Sequence, residues 1–138
     1  MSAESSWDIQ AGVWNALTGH TSLTLLLANG ASSILDHVPA GTTFPYVVLG
    51  EAQMHPMDSQ GTSGNDMVLT LHTYSRGSGM QEARHIMAAI YDVLHDGTFA
   101  VPNQVLILCQ YLSAETRLED DGITRHGVQR FQIITEPV

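Results

Sequence analysis

Seven histidines, His20, His37, His55, His72, His85, His95 and His126, are the residues best suited to binding a metal or moving a proton. No two have the His-x-x-x-His spacing that puts both rings on one helix face, and His85 and His95 are ten residues apart. Asp36–His37 and His95–Asp96 are adjacent pairs, whose side chains diverge in regular structure. His72 falls in an extended run with no partner that the sequence identifies. The pattern nominates no metal site and no cofactor. The histidines read instead as scattered surface groups and hydrogen-bonded interior ones.

Nucleophiles fare no better. Gly61-Thr62-Ser63-Gly64 is not the Gly-x-Ser-x-Gly elbow. Cys109 is the only cysteine and sits in the most apolar run, where a thiol behaves as a small inert hydrophobe. Gly77-Ser78-Gly79 precedes a helical pattern and suits a cap, but it has no Walker lysine. Glu115, Glu119, Asp120 and Asp121 could form a hydrolase dyad only in a pocket, and their place beside a turn predicts a solvated acidic tip. The arginines are more informative. Arg117, Arg125 and Arg130 flank or occupy the last two extended runs, where arginine either pairs with a carboxylate such as Glu115 or Glu119 or faces an interface.

Charge narrows the choices. Asp and Glu number 14 against 5 arginines and no lysine, for a formal net charge of −9 over 138 residues. A protein that neutralises nucleic-acid phosphates or an anionic membrane needs clustered cations, so both classes are excluded. Hydrophobic residues at 43% and charged residues at 14% predict a folded chain, here one domain over residues 1–138. The polar, acidic start is unlike a signal peptide, and no apolar run reaches the roughly 20 residues of a membrane span. The expectation is a soluble protein made in the cytoplasm.

The elements that would position these residues follow from periodicity. Ser5-Ser6-Trp7-Asp8 resembles a capping box ahead of Ile9, Val13, Ala16 and Leu17 at helical spacing, and Gly19 should end that helix. Residues 21–28 form a second short helix with Leu23, Leu26 and Leu27 inward. Residues 34–38 and 46–52 read as strands. Residues 67–74 alternate, with Met67, Leu69, Leu71 and Thr73 facing one way. Residues 80–95 carry the strongest helical stripe, Ala83, Ile86, Met87, Ile90, Val93 and Leu94. Residues 105–112 are so apolar that a central strand is expected, and 128–135 form the last strand after an Asp120-Asp121-Gly122 turn. Residues 53–66, with Pro56, Gly61 and Gly64, show no period and read as a long loop, of a length that is usually functional or disordered. The fold class is α+β: a small, mostly antiparallel sheet of about four to five strands, one long helix on one face, and an N-terminal helix.

Three segments in order resemble a known family. They are Ile34-Leu35-Asp36-His37-Val38-Pro39 with Phe44-Pro45-Tyr46-Val47-Val48-Leu49-Gly50; Leu69-Thr70-Leu71-His72-Thr73-Tyr74-Ser75-Arg76; and Thr124-Arg125-His126-Gly127-Val128-Gln129-Arg130-Phe131. Together they are similar to the tail terminators, or tail-completion proteins, of long-tailed siphovirus-type phages and of gene transfer agents. The likeness runs from about Trp7 to Glu136, with residues 53–66 the poorest match.

The resemblance implies a non-catalytic virion protein. Family members assemble as a homohexameric ring that caps the tail tube, ends its polymerisation and joins it to the head connector or stopper protein at the head–tail junction. DNA passes through without specific binding. In a head-to-tail ring each protomer shows two different surfaces to its neighbours. Arg76, Arg117, Arg125, Arg130, Glu115 and Glu119 are then candidate interface residues. His55, Met57, Asp58, Gln60, Thr62, Asn65 and Asp66 become a candidate contact loop for the tube or connector. Six copies at −9 each would give a strongly negative ring, repelling DNA from an acidic lumen. The competing readings are another head-completion or tube protein of the same particle, or a small hydrolase-like enzyme.

Overall fold

The computed structural model describes residues 3–59 and 62–138. Helix α1 spans Ala3–Thr18 and the short α2 spans Thr21–Thr24, followed by a 3-10 turn at Gly30–Ser33. Strand β1 is only Ile34–Leu35; β2 is Tyr46–Ser59 and β3 is Thr62–Ser75. Helix α3 covers Gln81–Leu94, and β4 (Gln104–Leu118) and β5 (Arg125–Pro137) complete the order. The five strands make one sheet in the order β1-β2-β3-β5-β4, with β1 and β2 parallel and every other pair antiparallel. This is the α+β arrangement that the periodicity predicts.

The core lies between the sheet and the helices. The alternation of β3 aims Met67, Leu69 and Leu71 at it, opposite Ile133, Phe131 and Gln129 of β5. Ile86, Ile90 and Leu94 of α3 and Ile9, Val13 and Leu17 of α1 close it from above, all fully buried. Each such side chain stabilises the fold by about 1.5–3 kcal/mol. Gly127 lets α3 approach β5: a Cβ there would sit 2.4 Å from Met87 Sδ. Gln129 donates from Nε2 to Met87 O at 2.9 Å, a second tie between that helix and β5.

The structure corrects the sequence reading in five places. Residues 53–59 and 62–66 are not a loop. They extend β2 and β3, pairing from Gln53↔Val68 to Ser59↔Thr62. Pro56 reads as a breaker, but beyond Val48 strand β2 has no outer neighbour among the described residues, and an edge strand tolerates proline. Strand β4 is not central; it lies at the sheet edge, and β3 and β5 run through the interior of the sheet. Helix α1 begins at Ala3, ahead of the expected box at Ser5. The short helix stops at Thr24, and of its three leucines only Leu23 and Leu27 are buried. No side chain caps α3 at Met80; Glu82 in its first turn instead accepts from Ser75 Oγ at 2.6 Å. At its other end the left-handed conformation falls on Asp96 (φ 54°) rather than on Gly97.

Candidate protein interface

Two open sheet edges and the helix-free face of the sheet carry the polar and apolar groups that the core leaves unused. On β4, Val105 (48%), Ile107 (49%), Leu112 (47%) and Leu118 (49%) stay about half exposed. Register shifts between Leu106 and Leu108 and between Tyr111 and Ser113 turn this strand out of regular alternation. The end of α3 takes up part of its edge: Asp96 N donates to Cys109 O at 2.9 Å, and Tyr111 N donates to His95 Nδ1 at 3.2 Å. Past Tyr111 no other strand pairs with that edge among the described residues. Cys109 is buried, and that burial pushes its thiol up to about 12, as expected of an inert hydrophobe.

The arginines and carboxylates named from the sequence fall into two groups. Arg117, Arg130, Glu115 and Glu119 gather on the helix-free face. Arg117 lies 3.9 Å from Glu115 and 3.8 Å from Glu119, and Arg130 lies 4.0 Å from Glu115. These loose, half-exposed pairs are each worth under about 1 kcal/mol, so Arg117, Arg130 and Glu115 keep most of their capacity for a partner, whereas Glu119 is also held 2.5 Å from His126 Nδ1. Arg76 and Arg125 are committed within the protomer. The Arg76 guanidinium lies 4.1 Å over the Phe44 ring and donates from Nε to Thr124 Oγ1 at 3.1 Å. Arg125 Nη1 donates to Ile123 O at 2.8 Å and to Gly77 O at 3.3 Å. Both thereby tie the turn after β3 to the turn between β4 and β5. That second turn is built by Asp121, which accepts from Thr124 Oγ1 and from the Thr124 and Ile123 amides, holding its carboxyl down at about 2.

The candidate contact residues of 53–66 separate as well. His55 is exposed near the end of β2. Asn65 is buried, with Nδ2 within 3.5 Å of Gln104 Oε1 and Thr135 Oγ1, which removes it from the contact surface. Both oxygens of Asp66 accept from Gln132 Nε2 at 3.1 Å. Met57, Asp58 and Thr62 lie in a two-stranded stretch beyond Asn65, the last residue of β3 to pair with β5. Gln60 lies outside the described residues.

The sequence did not reveal a ring ladder across the same helix-free face. Phe44, Tyr46, Tyr74 and His126 follow one another with centroids 5.0, 5.2 and 4.5 Å apart. His126 meets His72, the histidine without a foreseeable partner, and Glu51 and Glu119 stand at the two ends of the pair. The parity of the β3 alternation puts His72 on this face. Only the β3–β5 register, which sequence does not give, brings His126 to it. Burial raises the pKa of Tyr46 and Tyr74. Elsewhere, an apolar groove of about 380 Å³ runs beside α1, lined by Trp7, Trp14, Ile34, Leu35 and Asp36. Among the described residues, no three His, Cys, Asp or Glu side chains are grouped to hold a metal ion.

Known proteins resemble this chain in sequence and in fold. The family model described as "Tail completion protein gp17" matches residues 11–136. A curated relative, the tail completion protein gp17 of Bacillus phage SPP1, is 22% identical over 85 residues. That match covers 62% of this chain and spans 63% of the relative's length. A chain in a solved structure described as "Virion of native gene transfer agent (GTA) particle" superposes with a TM-score of 0.87 at 21% identity. The superposition covers 98% of this chain and 99% of that one, so the fold is shared along its whole length. With a match over nearly its full extent, the chain belongs to the tail completion protein gp17 family.

Proposed function

We propose that the protein is a non-catalytic virion component, of a phage or a gene transfer agent, that completes the tail. Copies close into a head-to-tail hexameric ring on the tip of the tail tube, stop its growth and join it to the head connector or stopper protein. DNA then passes through the ring. The protein is made in the bacterial cytoplasm and ends at the head–tail junction.

The observation that carries this reading is the open β4 edge with its half-exposed Leu112 and Leu118, beside the loosely paired Arg117, Arg130 and Glu115. A strand edge of this kind pairs with another chain unless something covers it. A second open edge, β2 beyond Val48, lies across the sheet, so one protomer offers two different edges, as a head-to-tail ring requires. The two-stranded end of β2 and β3 is a natural contact for the tube or connector. Charge reversal at Arg117 or Arg130 tests the interface: native mass spectrometry and particle assembly should both show rings lost. Rings that persist undiminished in both variants exclude it.

A further inference from the structure

His72 and His126 meet on the helix-free face in a geometry that fixes how many protons they hold. His72 Nε2 lies 2.5 Å from Glu51 Oε1, and His126 Nδ1 lies 2.5 Å from Glu119 Oε1. A carboxylate only accepts, so each of these ring nitrogens carries its hydrogen. The facing nitrogens, His72 Nδ1 and His126 Nε2, are 2.7 Å apart. If both rings are neutral, two lone pairs face each other across that distance. If both are imidazolium, two N–H groups face each other. One proton between them satisfies all three contacts.

The site is built into the backbone. A register shift between Leu49 and Ala52 swings Glu51 over His72. Gly50 leaves room for the ring: a Cβ there would stand 2.6 Å from His72 Cδ2. His126 stacks on Tyr74 at 4.5 Å and is buried. We propose that Glu51, His72, His126 and Glu119 form a one-proton latch that clasps β2, β3, β5 and the end of β4 when one proton is shared and opens when a second is bound.

The charged and titratable groups around the pair oppose that second proton. Arg117 of β4 has Nη2 3.1 Å from His126 Nδ1 and cannot donate to it while that atom holds its own hydrogen. Arg130 of β5 adds a further positive charge on the side of Glu51. Tyr46 of β2 and Tyr74 of β3 stay neutral in this range, and Glu115 of β4 lies beyond Arg117. Burial first, then the charges of His72 and Arg117, hold His126 below its usual pKa, against the hydrogen bond to Glu119.

The test is an imidazole NMR titration of the full chain from mild acid to mild alkali. The expected result is two steps more than about one pH unit apart, with both His72 and His126 reporting each, as coupled sites do. Amide exchange at Glu51 and His72, taken relative to an unprotected amide at the same pH, should rise at least tenfold across the lower step. In His72→Gln, His126 should collapse to a single step. Two independent single-step curves, a His126 curve unchanged in His72→Gln, or exchange unaltered across the lower step would each overturn the latch. The wild-type titration decides the matter even where the variant fails to fold.

Discussion

Replacing Leu112 by lysine tests the edge of β4 without touching the core. Leu112 is 47% exposed, in the irregular stretch between Tyr111 and Ser113, past the point where His95 and Asp96 take up the strand's backbone groups. Its substitution should therefore change the stability of the isolated chain by no more than about 0.5 kcal/mol. In a ring the exposed half of that side chain would be buried, worth about 1 kcal/mol. An ammonium without a partner adds at least about another 1 kcal/mol of desolvation. Each of the six contacts then weakens by about 2 kcal/mol, close to 30-fold. The assay pairs denaturant unfolding with native mass spectrometry and complementation of particle assembly. Unchanged unfolding with lost assembly is expected. A variant that assembles at the same concentration as the natural chain would refute the edge argument.

Three other perturbations follow from named contacts. Gly50→Ala should cost about 1–3 kcal/mol in urea unfolding, because its Cβ would overlap the His72 ring; an unchanged midpoint contradicts this. Phe131→Ala removes the largest fully buried side chain and should cost about 3–5 kcal/mol by the same measurement. Acid should also weaken the fold. His126 holds its proton less tightly folded than unfolded, so below its ordinary value of 6.5 the unfolded chain binds more protons. Stability is then lost as pH falls from 6.5 through the lowered folded value, and His126→Gln should flatten that slope in thermal melts. A slope unchanged in His126→Gln would assign the loss to other groups.

Much of the fold was legible because single elements carry it. The strict alternation of Met67, Leu69, Leu71 and Thr73 fixed which face of β3 is buried, and the stripe Ala83, Ile86, Ile90 and Leu94 fixed α3. What failed depends on neighbours. The apolar run of β4 resembles a strand covered on both faces, yet within one chain it ends at the edge with half its apolar side chains uncovered. Pro56 and Gly64 broke the pattern of a ribbon whose pairing is set by backbone contact, not by burial. The pairing of His72 with His126 spans 54 residues and needs the β3–β5 register. Arg117 with Glu115 and Glu119 was visible as a possible local pair, because those residues alternate along one strand and its turn.

The central claim is that this chain completes a tail, and its position in the particle tests that most directly. Cryo-electron microscopy of particles carrying a tagged copy should place one six-fold ring of tag density at the head–tail junction. Tag density repeated along the tube, at the far tip, or absent from finished particles would contradict the account.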